Sequence, residues 1–164
     1  MLEPGREGEL VFTTLSKRAM PLVRYRTGDI TTLTLEPCGC GRTSARMARV
    51  KGRSDDMLIV KGVNLYPSEV ERTLLALEEL APHYQLVVDR AATLARLEVQ
   101  VEPAPALIAR CGGFAADHPE IVSLRRRAAE QLRQATGLGV ELTIVAPRTI
   151  PRSEGKAVRV IERG

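Results

Sequence analysis

The sequence predicts an α+β fold, and three observations carry the prediction. Apolar residues alternate as in strands at Tyr84-Leu86-Val88, Leu97-Val99-Val101 and Val140-Leu142-Ile144. They recur at helical spacing at Val70, Leu74 and Leu77, and again at Ile121, Leu124, Ala128 and Leu132. The two kinds of segment follow one another along one stretch of chain, separated by turn-forming residues. With Met57 to Lys61 as the first strand, the order is strand, helix, strand, strand, helix, strand, that of a ferredoxin-like sandwich.

Each element has a local cause. Met57 to Lys61 is a β-rich apolar run stopped by Gly62. Ser68 and Glu71 have the spacing of a capping box just after Pro67, so a helix is expected over about 68–80. Pro, Ala and Gly dominate about 103–118, which reads as a loop. Asp117 and Glu120 around Pro119 fit a second capping box, and Gly137 closes the helix that follows. Before all this, Glu9 to Leu15, Val23 to Tyr25 and Ile30 to Leu35 read as three short strands, with Arg26-Thr27-Gly28-Asp29 a turn by composition. Three short strands make a poor independent domain. Residues 1–50 are therefore expected to be the C-terminal remnant of a larger β-rich domain, 51–56 a hinge, and 57–164 a self-contained C-terminal domain.

Composition narrows the class. The chain has 164 residues, 44% of them apolar but only 3% aromatic, so its core is aliphatic. A net charge of +4 suits anionic small molecules weakly. Nucleic acid is not expected, because single-strand binders stack bases on aromatic platforms and this chain has two Phe, three Tyr and no Trp. No stretch has the length of a membrane span, and the opening Met1-Leu2-Glu3-Pro4 has no signal-peptide pattern. Three unevenly spaced cysteines argue for a reducing cytoplasm and against a disulfide framework.

Three segments carry candidate chemistry. Tyr25-Arg26-Thr27-Gly28-Asp29 offers a carboxylate that can accept two hydrogen bonds from vicinal hydroxyls; by itself it is also an ordinary turn aspartate. Gly52-Arg53-Ser54-Asp55-Asp56 leads into a strand, then Lys61-Gly62-Val63-Asn64-Leu65-Tyr66-Pro67 and a capped helix; the plain alternative is a linker before a hairpin. Pro151-Arg152-Ser153-Glu154-Gly155-Lys156 ends on a lysine that can present an ammonium to an anion, or equally be a solvated loop lysine. It is no Walker A loop, since Ile150 and Ala157 occupy the places of that motif's first Gly and its Ser or Thr.

Taken in order, Arg24-Tyr25-Arg26-Thr27-Gly28-Asp29, Gly-Arg-Ser-Asp-Asp, Val63-Asn64-Leu65-Tyr66-Pro67 and Arg-Ser-Glu-Gly-Lys resemble the C-terminal signature of adenylate-forming enzymes. The wording resembles that of phenylacetate–CoA ligases, over about residues 7–163. The resemblance implies an ATP-dependent ligase that makes an acyl-adenylate and then an acyl-CoA, using Mg2+ and coenzyme A on an aryl carboxylic acid. It implies Lys156 as the catalytic lysine of adenylation; Asp29, Arg53 and Tyr25 at the nucleotide; Asp55 as hinge; and Lys61, Gly62 and Asn64 at the CoA tunnel. The phosphate loop, adenine pocket and acyl pocket would belong to an N-terminal adenylation domain upstream of Met1, and the chain alone is expected to be inactive. Some relatives carry structural zinc completed by the large domain, which makes Cys38 and Cys40 half a metal site; the alternative is two free thiols in a Gly-rich turn. The resemblance also implies a homodimer. Two other readings stand beside this one: an adenylating enzyme with a different acceptor, resembling coenzyme F390 synthetases, and a non-catalytic ferredoxin-like module that binds a ligand or dimerises.

Overall fold

A computed structural model describes residues 2–89, 96–152 and 158–163. The chain divides into two compact units, Met1–Met57 and Leu58–Gly164.

The first unit is a small antiparallel sheet built on one long strand. Strand β1 (Glu7–Phe12) pairs with β2 (Tyr25–Thr34), and β2 pairs in turn with β3 (Arg46–Met47) and β4 (Gly52–Arg53). The expected turn at Arg26–Asp29 is instead a bulge inside β2. Glu9 faces Ile30 and Val11 faces Arg26, so Thr27, Gly28 and Asp29 together oppose Leu10. Side chains take up the backbone groups that the ladder drops. The Thr27 hydroxyl donates to Leu10 O (3.1 Å) and accepts from Asp29 N (3.0 Å), and Gly28 N donates to Glu9 Oε1 (3.1 Å). The chain therefore need not reverse, and Gly28 provides the positive φ of 79° that the bulge requires.

The second unit is α+β, as predicted. A hairpin of β5 (Leu58–Val60) and β6 (Val63–Leu65) leads into α1 (Pro67–Leu75). There follow β7 (Leu80–Asp89), β8 (Arg96–Pro103), α2 (Pro105–Cys111), α3 (Pro119–Thr136), β9 (Glu141–Ile144) and β10 (Val160–Arg163). The main sheet has the order β10-β7-β8-β9; β7 and β8 are antiparallel, while the outer pairs are parallel. The run at Met57–Lys61 thus stays out of the four-stranded sheet and pairs locally, and the remaining strand comes from Val160–Arg163.

One aliphatic core joins these elements. Val70 and Leu74 of α1, Leu107 of α2 and Ile121, Leu124, Ala128 and Leu132 of α3 pack with Leu86, Val88, Leu97, Val99, Val101, Leu142 and Ile144 of the sheet. The helix ends differ in detail from expectation. Tyr66 is the N-cap of α1 and makes no side-chain cap bond, so Ser68 lies inside the helix. The helix stops at Leu75 because Leu77 N and Leu80 N close turns onto Leu74 O and Leu77 O. Both leucines remain buried, which kept the helical spacing alive in a segment that is not helix. His118, not Asp117, caps α3, its Nδ1 accepting from Glu120 N at 3.3 Å. Helix α2 replaces part of the expected loop. Pro105 at its first turn and left-handed Gly112 just past its end are the usual punctuation, but with Leu107 its one buried residue it has no periodicity to read.

Candidate functional site

In the first unit the register sets Asp29 opposite Arg53 across β2 and β4. The Arg53 guanidinium grips Asp55 with a two-pronged contact, Nε to Oδ1 and Nη2 to Oδ2, both 2.9 Å. Its Nη1 donates to Thr27 O at 3.3 Å and lies 3.7 Å from Asp29 Oδ1. Asp55, and to a smaller degree Asp29, hold the Arg53 pKa above its ordinary value, so the guanidinium is charged throughout the working range. A Cβ at Gly28 would stand 3.0 Å from Arg53 Nη2, the flexible end of that side chain, so it is the positive φ of the bulge that calls for glycine. Three of the residues named from sequence, Asp29, Arg53 and Asp55, therefore form one cluster of partly exposed charges able to bond hydroxyls and anions. Tyr25 opens β2 with its ring about half exposed. Glu9 escaped the sequence reading. It holds Gly28 N and accepts from Arg26 Nε at 2.8 Å, and Arg26 keeps its carboxyl below the usual range.

In the second unit Lys61 and Gly62 are the two central residues of the β5–β6 hairpin, with φ of 50° and 78°. Positive φ at both positions is the signature of a type I′ turn, whose twist matches that of paired strands. Lys61 bears a strain that glycine would not. Val60 and Leu65 point into the core, while Lys61, Gly62 and Asn64 are exposed. The three tunnel candidates thus share one rigidly rooted, solvent-facing loop.

Lys156 lies outside the described residues, but the residues on either side of its segment are placed. Glu102, at the end of β8, is buried and accepts from Ile150 N (2.9 Å), Arg152 Nη1 (3.0 Å) and Arg152 Nη2 (2.7 Å). Burial pushes this carboxyl up; Arg152 and the backbone N–H groups of Arg148 and Ile150 outweigh it, leaving the pKa below its ordinary value. Arg159 stacks 4.3 Å from the Tyr84 ring centroid and lies 3.4 Å from Glu71. Glu102 had no motif to mark it.

Cys38 and Cys40 share a tight turn closed by Gly41 N to Cys38 O at 2.8 Å. Their sulfurs lie 3.1 Å apart, and the Cys38 thiol, helped by the Arg42 backbone, lowers the Cys40 pKa. Two thiolates on a tetrahedral zinc stand about 3.7 Å apart, so a small parting would fit them to one ion. Among the described residues no third ligand joins them. Arg127 of α3 pairs with Glu79 at 2.7 Å.

Comparison with known proteins follows this geometry. The family model of the AMP-binding enzyme C-terminal domain matches residues 62–163. A phenylacetate-coenzyme A ligase of Thermus thermophilus is 47% identical over 96% of the chain, and one of Escherichia coli is 42% identical over 98%. The chain spans 37% and 35% of their lengths. A crystal structure of 2-hydroxyisobutyryl-CoA ligase in the postadenylation state, in complex with R3-HIB-AMP, is 31% identical with a TM-score of 0.81; the match covers 99% of this chain and 33% of that one. The chain therefore belongs to the AMP-binding enzyme C-terminal domain family.

Proposed function

We propose that this chain is the C-terminal portion of an ATP-dependent aryl-acid–CoA ligase acting on a phenylacetate-like acid. The observation that carries the reading is that phenylacetate-coenzyme A ligases match the chain over 96% and 98% of its length, and so through both units. In the reaction, a carboxylate oxygen of the acid bonds to the α-phosphorus of ATP and the bond to pyrophosphate breaks. The CoA thiolate then bonds to the acyl carbon and AMP leaves.

Each candidate residue has a task suited to its chemistry. The Asp29 carboxylate accepts from the ribose hydroxyls, with Arg53 beside it for ribose or phosphate and Tyr25 at the same nucleotide. Lys156 places a cation where phosphoryl charge builds in adenylation. The exposed loop of Lys61, Gly62 and Asn64 borders the pantetheine in the second step. Asp55, within a hinge at 51–56, lets the domain from 57 onward present one face and then the other. The Arg53–Asp55 grip supports that role, because a paired exposed charge can exchange partners at little cost.

The adenylation domain that supplies the phosphate loop and acyl pocket is the required partner, with residues 1–50 part of it. Mg2+ accompanies ATP, the enzyme acts in the cytoplasm as a homodimer, and Cys38 and Cys40 give two thiolates to a structural zinc completed by that domain. Among the described residues no helix is long and apolar enough to cross a membrane. The test is pyrophosphate release from ATP by the full-length protein over a panel of aryl acids, with and without CoA. Release that requires an aryl acid, followed by CoA-dependent thioester, is the expected result. No release with any acid sinks the proposal.

A further inference from the structure

The thiols of Cys38 and Cys40 take no part in either step of the proposed reaction, yet the loop between β2 and β3 holds them together. Their sulfurs stand 3.1 Å apart. The backbone sets this approach. Cys38 N donates to Arg42 O at 3.3 Å and Gly41 N donates to Cys38 O at 2.8 Å, which ties the first cysteine to the residues just past the second. Gly41 closes the turn with a left-handed φ of 82°.

Two chemistries are open to such a pair. A disulfide needs the sulfurs at about 2.05 Å. A shared zinc needs them at about 3.7 Å. The observed separation lies between the two, so a small rotation of the side chains reaches either. Zinc also needs further ligands, and among the described residues none stands with the pair. A disulfide needs only the two thiols and an oxidant. Cys40 is exposed and Cys38 partly buried, so an oxidant meets Cys40 first, with Cys38 already placed to resolve the product. Cys111 is in a different setting, packed against the aliphatic core of the second unit.

We propose that Cys38 and Cys40 are an oxidisable dithiol, a site at which a hydroperoxide closes a disulfide across Gly39, and that this disulfide and bound zinc exclude one another. The Cys40 sulfur bonds to one peroxide oxygen and the O–O bond breaks. The products are a sulfenic acid on Cys40 and an alcohol, or water where the oxidant is hydrogen peroxide; the thiol proton goes to the departing oxygen. The Cys38 sulfur then bonds to the Cys40 sulfur, the S–O bond breaks, and water leaves with the Cys38 proton. The thiol pair is oxidised and the peroxide is reduced. A disulfide in so short a loop and so near solvent is of the readily reduced kind, which suits a reversible pair in a reducing compartment. Exclusion follows because the metal binds thiolates and a disulfide has none. Only that clause rests on the zinc reading given above.

The experiment treats the full-length protein, zinc-loaded and after chelation, with a small excess of hydrogen peroxide. Peptide mapping by mass reads the cysteines, and a colorimetric chelator reads released zinc. Expected in the chelated protein is a peptide spanning Cys38 and Cys40 that is lighter by two hydrogens and restored by dithiothreitol. In the zinc-loaded protein the same product should form more slowly, with zinc leaving as it forms. C38S should stop at a sulfenic acid on Cys40, which dimedone traps. With dimedone present, wild-type protein should give roughly 10-fold less adduct folded than in urea, because the turn pre-places Cys38 to compete for the sulfenic acid. Equal adduct in the two states means that the turn places nothing and overturns the inference. So do cysteines that stay reduced in the chelated protein, that pass to sulfinic acid without the disulfide, or that join Cys111 instead. Zinc that stays bound to the oxidised protein overturns the exclusion. A protein that holds no zinc and still closes the disulfide removes the zinc reading and supports the dithiol.

Discussion

The two units treat apolar side chains in opposite ways. Among the described residues of the first unit only Leu10 and Thr31 are buried, while Leu15 is 97%, Met20 83% and Val23 74% exposed. In the second unit, residues from Val60 to Ile144 close into one core. Both stretches are strand-rich, so the contrast lies in layers. A sheet is stable when one face is covered, and in the second unit α1 and α3 provide that cover. The first has no helix among its elements. Its apolar surface suits packing against another domain, and that is where the nucleotide candidates Asp29 and Arg53 lie. The second unit holds itself together and carries its exposed hairpin on a closed core.

This contrast can be broken by substitution. Leu86→Ala should cost about 2–5 kcal/mol, the usual result of emptying a filled core site, whereas Phe12→Ser, on the exposed side of β1, should change the stability of this chain by less than about 0.5 kcal/mol. Urea unfolding of both variants measures the difference. A larger cost at Phe12 would mean that the first unit has a core of its own.

Acid sharpens the same contrast. Glu102 titrates below its unfolded value of about 4.3, so the stability it contributes is fully present above that pH and is lost as pH falls through the lower, folded value. Glu9 in the first unit has the same sign, from Arg26, but it belongs to an exposed pair that salt screens. Melting curves taken from about pH 5 downward should therefore show an acid limb that survives high salt and flattens in E102Q. A limb erased by salt and indifferent to E102Q would assign acid sensitivity to the surface pairs instead.

The smallest effect is at the hairpin. Lys61→Gly relieves a left-handed non-glycine residue and should raise stability by up to about 1 kcal/mol. In the full-length protein the same change should slow thioester formation and spare adenylation. Slowed adenylation would contradict the division of labour between this loop and Lys156.

Much of the fold was legible because its causes are local. The leucine spacing of α3, the alternation in β7, β8 and β9 and the glycine at the hairpin each express a repeat or a turn preference contained in a few consecutive residues. The candidate cluster was legible as a motif, Gly28-Asp29 followed by Gly52-Arg53, though its geometry was misread. A polar segment with a glycine is the same in composition whether the chain reverses or bulges.

What the sequence by itself determined is α1, α3, strands β7 to β9 and the glycine turn of the hairpin, the aliphatic character of the core and the chemistry available at Asp29, Arg53, the hairpin and Lys156. Only the tertiary structure decided that Thr27–Asp29 continues a strand, that Val160–Arg163 rather than Met57–Lys61 completes the main sheet, and that Glu102 is buried under Arg152. Each of those outcomes depends on a partner far along the chain, Glu9 for Gly28, Leu86 for Val160, Arg152 for Glu102. Periodicity reports which face of an element is apolar. It carries no information on which distant strand or charge will meet that element, because that is settled only when the core closes and the remaining polar groups must find partners.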